Sequence, residues 1–227
     1  YKKALKWYVE AIKYASQKNT THSKAMYHYG RIKENGFNVT QKSIDTAILC
    51  YNNAGPKNLY ALIRLAIIYN QGLGVDRNPE LAEKYFWFAT KSKTEKHEIS
   101  GISFMIGEYY LKGEIIDQDT KRAIRFFENA ANLGNANAYY ALGNIYGKSK
   151  WKGKIDYERA KFFYEKATKL GNYDGYVKLG DFYYYGYNQI PHDHNTAKSY
   201  YMEAANHKNP TAIYKLANMY RKNNDID

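Results

Sequence analysis

Small, apolar and aromatic residues recur along this chain with a period of 37 residues. Within each copy these residues stand three or four positions apart, which places them on one face of a helix. A repeat of this length predicts a stacked solenoid, because one unit alone cannot bury its apolar face. Three corresponding positions show the period through consecutive copies: Ala123, Ala160 and Ala197; Leu142, Leu179 and Leu216; Tyr146, Tyr183 and Tyr220.

Polar residues that favour helix starts precede these apolar positions in register. Their side chains accept hydrogen bonds from the free N–H groups of a first helical turn. Pro79 follows one of them at the position where a helix tolerates proline best, and Gly134 and Gly171 follow later helices, where a left-handed cap suits glycine. The pattern therefore predicts that each repeat is a pair of helices. The five candidate N-caps of the second helices are Ser43, Asn78, Asp119, Asp156 and Asp193.

The periodicity predicts an all-α solenoid, one continuous array of about eleven helices. The predicted boundaries are a half unit at 1–18, repeats at about 22–57, 58–97, 98–134, 135–171 and 172–208, and a half unit at 209–227. The polar stretch Lys91–Glu98 is expected to be an inserted loop. Uncapped apolar faces at both ends, and the lack of an initiator Met, indicate a segment of a longer protein. The same faces offer a route to self-association.

Two segments resemble the Sel-one-like repeat family, a relative of the tetratricopeptide repeat. They are ALIRLAIIYNQGLGV at Ala61–Val75 and DTKRAIRFFENAANLG at Asp119–Gly134, and weaker matches cover nearly the whole chain. The spacing of 36 to 37 residues suits this family better than the period of about 34 in tetratricopeptide repeats. The resemblance implies a right-handed superhelix with a concave face, and a function as an adaptor that assembles protein complexes.

The formal net charge of +12 is typical of proteins that bind nucleic acid or anionic surfaces. The densest basic run, Lys148–Lys154, surrounds Trp151. Lys, Asn, Ile and Tyr are all abundant, and an AT-rich genome favours their codons, so composition bias is the preferred explanation. An electrostatic binder of RNA or of an anionic surface is therefore the alternative function.

Other functions find little support in the sequence. No apolar run reaches the length of a membrane span. The single cysteine, Cys50, cannot form an internal disulfide and is expected to be buried, so the sequence slightly favours the cytoplasm. The sequons at Asn19 and Asn38 leave a luminal or secreted location open. In the sequence His192-Asp193-His194, Asp193 is already explained as an N-cap, and a structural zinc ion would need further ligands. We predict no metal, no cofactor and no catalytic residues.

The resemblance also implies a binding site on the concave face. In related repeats the first helix of each pair lines this face, at offsets of −3, +1 and +4 from the small residue found here at Gly143, Gly180 and Ala217. Related domains that hold a peptide C-terminus place an Asn at +1 and a Lys at −3, where this chain has Tyr. We therefore expect stacking and amide hydrogen bonds to a partner peptide or protein. The predicted partner-binding residues are Tyr140, Asn144, Val177, Asp181, Tyr184, Tyr214, Asn218 and Arg221.

Overall fold

The computed structural model describes residues 1–18, 22–37, 40–91, 95–148, 156–187 and 190–223, and this part contains twelve helices and no strand. The all-α prediction is confirmed. Five helix pairs flanked by a single helix on each side require twelve helices rather than the eleven expected. The helices are α1 (Lys2–Gln17), α2 (Ser23–Asn35), α3 (Ile44–Ala54), α4 (Leu59–Gln71), α5 (Pro79–Thr90), α6 (Lys96–Lys112), α7 (Thr120–Asn132), α8 (Ala136–Lys148), α9 (Tyr157–Lys169), α10 (Tyr173–Tyr185), α11 (His194–Asn206) and α12 (Pro210–Asn223).

The chain divides into two compact units, Tyr1–Ala123 (unit 1) and Ile124–Asp227 (unit 2), and the division falls within α7. In unit 1, α2 packs on α3 and α4 packs on α5. In unit 2, α8 packs on α9 and α10 packs on α11, and α11 also contacts α12. Each unit is thus built from helices that are neighbours in sequence and in space, as expected for stacked helix pairs.

A glycine in the first helix of a pair lets a tyrosine of the second helix pack directly against its backbone. A Cβ atom added to any of these glycines would lie 2.5 to 2.7 Å from the tyrosine ring, closer than packed atoms approach. The tyrosine side chains are almost completely buried, so the small residue is required for the helices to meet. The three pairs are Gly30 with Tyr51, Gly143 with Tyr164, and Gly180 with Tyr201.

All five predicted N-caps of the second helices are confirmed. Asn78 Oδ1, for example, accepts a hydrogen bond from the Leu81 N–H at 2.9 Å, and Pro79 is the first residue of α5. The loop expected at Lys91–Glu98 is shorter than predicted, because α6 begins at Lys96. Glu98 lies in its first turn, where a carboxylate interacts favourably with the helix dipole.

Four first helices carry an Asn cap that the sequence reasoning missed. In each, the Asn Oδ1 accepts a hydrogen bond at 3.0 to 3.1 Å from the N–H three residues later. The sequence does contain a signal for these caps, a recurring Asn-x-x-Ala or Asn-x-x-Gly motif, which predicts where these helices begin. The four caps are Asn58, Asn135, Asn172 and Asn209.

These asparagines also join successive helices. Asn172 donates its backbone N–H to the Ala167 carbonyl at 3.0 Å, which closes α9. Its Nδ2 donates to Asn137 Oδ1 in α8 at 2.9 Å. Asn209 repeats both contacts, with the Ala204 carbonyl at 3.1 Å and with Asp174 Oδ1 at 2.7 Å. One residue therefore ends one helix, starts the next and contacts the first helix of the preceding pair.

Both glycines predicted to follow second helices in a left-handed conformation, Gly134 and Gly171, are confirmed. Gly134 and Gly171 have φ angles of +91° and +84°, values that glycine adopts without steric cost. Lys208 occupies the same position in the next repeat with a φ angle of +61°. This positive φ angle is unfavourable for lysine, as it is for most residues that have a Cβ atom.

Cys50 is buried in α3, as predicted. Burial raises the pKa of its thiol, and the opposing effect of the positive charge on Lys33 is smaller. Because the thiolate is the reactive form of cysteine, this residue has a packing role.

Candidate partner-binding site

Four of the eight predicted residues line one pocket of unit 2, which has a volume of about 350 Å³. They come from α10 and α12, and Tyr214 in particular is 68% exposed. The pocket therefore presents aromatic, amide and cationic groups together. The predicted residues that line it are Tyr184, Tyr214, Asn218 and Arg221, and the other lining residues are Tyr185, Tyr201, Lys215 and Met219.

Asp181 lies next to this pocket, and its carboxylate contacts two of the residues that line it. Its Oδ1 accepts a hydrogen bond from Tyr201 Oη at 2.7 Å and lies 2.7 Å from Lys215 Nζ. Lys178 Nζ is 3.9 Å from Oδ2. Burial, followed by the hydrogen bond to Asp181, raises the pKa of Tyr201. The carboxylate thus holds Lys215 at the pocket, and its own oxygens are engaged by Tyr201, Lys215 and Lys178.

Tyr140 and Asn144 form a second, separate cluster on α8. Tyr164 Oη donates a hydrogen bond to Asn144 Oδ1 at 3.0 Å, and the Tyr140 and Tyr164 ring centroids are 5.8 Å apart. Burial raises the pKa of Tyr140, while its hydrogen bond with Asn144 has the opposite, smaller effect. Neither residue lines the pocket near α12, so the structure places the predicted residues in two groups.

Val177 belongs to the interior of unit 2. It is only 3% exposed and packs in a cluster with Ala197, Tyr201 and Ala204. The three residues at the −3 offset thus differ in exposure, since Tyr214 is exposed, Tyr140 is partly buried and Val177 is buried. The side chain of Val177 offers a partner almost no surface.

The arrangement around Asp181 has a counterpart in unit 1 that the sequence reasoning did not find. Glu34 of α2 is buried and accepts a hydrogen bond at 2.5 Å from Tyr51 Oη of α3. Arg64 of α4 forms an ion pair with the same carboxylate, and its Nε lies 3.1 Å from Oε2. Each arrangement joins a carboxylate, a tyrosine hydroxyl and a cation from three consecutive helices. The sequence signal is a cation two residues before a small residue, at Arg64 before Ala66 and at Lys215 before Ala217.

The other chemical candidates do not form a site in the described part of the chain. The rings of His192 and His194 are 4.4 Å apart, and Asp193 between them caps α11. Among the described residues, no group of three or more His, Cys, Asp or Glu side chains could hold a metal ion. Within the same residues, no helix is both long and apolar enough to cross a membrane. The basic run lies outside the described residues, apart from the backbone of Lys148 at the end of α8.

The model of the Sel1 repeat matches residues 1–13, 23–55, 59–86, 103–135, 136–172 and 174–209, which is most of the chain. The chain belongs to the Sel1 repeat family. Sel1 repeat proteins are generally scaffolds for protein interactions that do not catalyse reactions. The resemblance found in the sequence is thereby confirmed.

Two solved structures show the same fold. A protective antigen present in uropathogenic Escherichia coli strains, which displays an SLR fold, is 22% identical with a TM-score of 0.59, and the alignment covers 96% of this chain and 44% of that chain. A Sel1 repeat protein from Oxalobacter formigenes is 24% identical with a TM-score of 0.53, over 88% of this chain and 79% of that chain. This Sel1 chain thus spans less than half of the E. coli protein. No curated protein sequence matches it.

Proposed function

We propose that this Sel1 repeat chain is a non-catalytic scaffold that holds a peptide or loop of a partner protein in the pocket formed by α10, α11 and α12. The observation that carries the proposal is the convergence of Tyr184, Tyr214, Asn218 and Arg221 on that single pocket of unit 2. These residues come from two first helices, and their side chains meet although they are up to 37 positions apart in sequence.

The chemistry of the pocket suits a peptide segment. Its volume of about 350 Å³ is at the lower end of the range for ligand sites and holds one or two side chains. Tyr214 supplies a rigid aromatic surface at low entropic cost, and Asn218 can donate to and accept from a peptide backbone. Lys215 and Arg221 add positive charge. The partner segment therefore combines an apolar or aromatic side chain with an acidic group.

The proposal is tested by capture from a lysate of the source cells with the immobilised 227-residue chain, after nuclease treatment and over a salt series. We expect a discrete protein to be retained at moderate salt, and to be lost when Tyr214→Ala and Arg221→Ala are combined. Phe88→Ala serves as the control, because Phe88 is an exposed aromatic residue of unit 1. Equal capture by the wild-type chain and the double variant would overturn the assignment of the pocket. In a parallel capture without nuclease, recovery of nucleic acid that disappears as the salt concentration rises would favour an electrostatic function instead.

A further inference from the structure

Unit 1 contains two adjoining pockets that the sequence reasoning did not select. The larger, of about 540 Å³, is lined by residues that include Lys24, Lys57 and Tyr60. The smaller, of about 260 Å³, is lined by residues that include Tyr8 and Arg31. Tyr27 and His28 line both. The two pockets therefore share a wall, and we call the pair of pockets the unit 1 groove.

Aromatic rings run along the whole of this groove. Tyr8 of α1 stacks on His28 of α2 with ring centroids 5.1 Å apart. Tyr27 meets His28 edge to face at 5.1 Å, and Tyr60 of α4 lies 6.1 Å from Tyr27. Rings with few rotatable bonds provide contact area at low entropic cost. The groove thus offers a preorganised aromatic surface.

Arg31, at one end of the groove, is a cation whose hydrogen bonds are only partly satisfied by the described residues. The Nε atom of Arg31 is buried and has no hydrogen-bond partner among the described residues. The hydrogen bond that Arg31 does make is a long one, from Nη1 to Tyr27 Oη at 3.5 Å. Glu34, one turn further along α2, is already occupied by Arg64 and Tyr51. A guanidinium nitrogen without an acceptor is unfavourable, and the Arg31 side chain as a whole is only partly buried, so its guanidinium group is suited to an acceptor from outside the chain.

The other end of the groove is also positive. Lys24 lies in the first turn of α2 there and Lys57 precedes α4, while Glu98 is the single carboxylate among the described residues that line either pocket. Together with Arg31, the groove holds three cations against one carboxylate. Partners of negative charge are therefore favoured over neutral or positive ones.

We propose that the unit 1 groove binds an extended acidic segment of a partner protein, with one carboxylate at Arg31, a second near Lys24 and Lys57, and an apolar side chain between them against Tyr27 and His28. Lys24 and Arg31 are separated by seven positions of α2, a rise of about 10 Å along a helix. An extended peptide in the polyproline II conformation has three residues per turn and rises about 3.1 Å per residue, so residues three positions apart lie on the same face about 9 Å apart. Two acidic residues three positions apart in the partner therefore match the two ends.

The test uses fluorescence anisotropy with the 227-residue chain and a labelled eight-residue peptide that has two glutamates three positions apart with leucines between them. A peptide with glutamines in their place is the control ligand. We expect the glutamate peptide to bind about tenfold more tightly than the glutamine peptide, because charge-assisted hydrogen bonds are the stronger ones. Arg31→Gln should weaken binding of the glutamate peptide about tenfold, and Lys24→Gln with Lys57→Gln should reduce its dependence on salt. Lys84→Gln, an exposed change of the same charge in α5, should have no effect.

Equal affinity for the two peptides would overturn the proposal, and so would unchanged binding by an Arg31→Gln chain with a native circular dichroism spectrum. If that variant does not fold, the comparison of the two peptides and the salt series with the wild-type chain still test the proposal. Displacement of the peptide by an equal concentration of free glutarate would show a small-molecule site instead. The variant with Tyr214→Ala and Arg221→Ala removes two side chains of the unit 2 pocket, and it should keep the preference for the glutamate peptide, because the groove lies in unit 1. Loss of binding in that variant would contradict a site separate from the unit 2 pocket.

Discussion

The ring of Tyr201 occupies the space that a side chain at position 180 would need. A Cβ atom on Gly180 would lie 2.5 Å from Tyr201 Cε1 and 2.7 Å from Cδ1. Because the tyrosine is buried and its hydroxyl is held by Asp181, the ring cannot move aside without breaking other contacts. We expect Gly180→Ala to lower the free energy of unfolding by about 1–3 kcal/mol, the usual cost of overpacking, measured by urea denaturation.

Gly101 provides the matched control for this prediction. It is also a helical glycine, in α6, but nothing lies within 4 Å of an added Cβ atom. Gly101→Ala should therefore stabilise the chain by about 0.5–1 kcal/mol, through helix propensity alone. A similar effect of the two substitutions would show that the approach of Tyr201 does not limit residue size at position 180.

Lys208 is the position at which the chain should be easiest to stabilise. Its φ angle of +61° costs a lysine about 1 kcal/mol relative to glycine. We expect Lys208→Gly to raise the free energy of unfolding by about 0.5–1 kcal/mol, again by urea denaturation. Gly171→Lys, the reverse change in the preceding repeat, should have the opposite sign. Two changes of the same sign would contradict the left-handed geometry at this turn.

The separate contributions of Asn172 can be distinguished by substitution. Asn172→Ala removes both the cap on Gly175 and the bond to Asn137, so we expect a loss of about 1–2 kcal/mol of unfolding free energy. Asn172→Asp keeps the capping oxygen but loses the Nδ2 donor, and should cost less. Asn137→Ala, which removes only the bond between helices, is the control. A cost for Asn137→Ala equal to that of Asn172→Ala would mean that the cap contributes nothing.

Stability at alkaline pH should depend on Tyr201. Burial and the hydrogen bond to Asp181 raise its pKa above the ordinary value of 10.0. Above that pH the unfolded chain loses the tyrosine proton while the folded chain keeps it, so stability falls as pH rises, by about 1.4 kcal/mol per pH unit for each such residue. Below pH 10 this contribution is fully present.

Between about pH 10 and 12 the unfolding free energy should decline less steeply in Tyr201→Phe than in the wild type. The difference in slope should be about 1.4 kcal/mol per pH unit, the value for one proton. Tyr214→Phe is the control, because Tyr214 is an exposed tyrosine of the neighbouring helix. Denaturation curves recorded at several pH values measure both slopes. An unchanged slope in the Tyr201 variant would show that this hydroxyl ionises equally in the folded and unfolded chain.

Sequence reasoning succeeded where the interacting residues are close along the chain. The N-cap of α5, Asn78, and its N–H donor at Leu81 are three positions apart, so a local pattern was sufficient to find them. The contact of Asp181 with Lys215 joins residues 34 positions apart, and it depends on how two first helices stack. The burial of Val177 has the same origin, since the offset that selected it does not show how closely the next helix pair packs.

The links around Asp181 and Glu34 mean that the repeats of this chain are not interchangeable modules. Lys215 is matched to a carboxylate in the repeat before it, whereas the corresponding position one repeat earlier is the neutral amide of Asn144. Deleting residues 172–208 would bring Lys215 to that amide and leave the ammonium group without its carboxylate. A change in repeat number therefore changes which charged and amide side chains face each other between neighbouring repeats, so the repeats of unit 2 differ in the neighbour they are matched to.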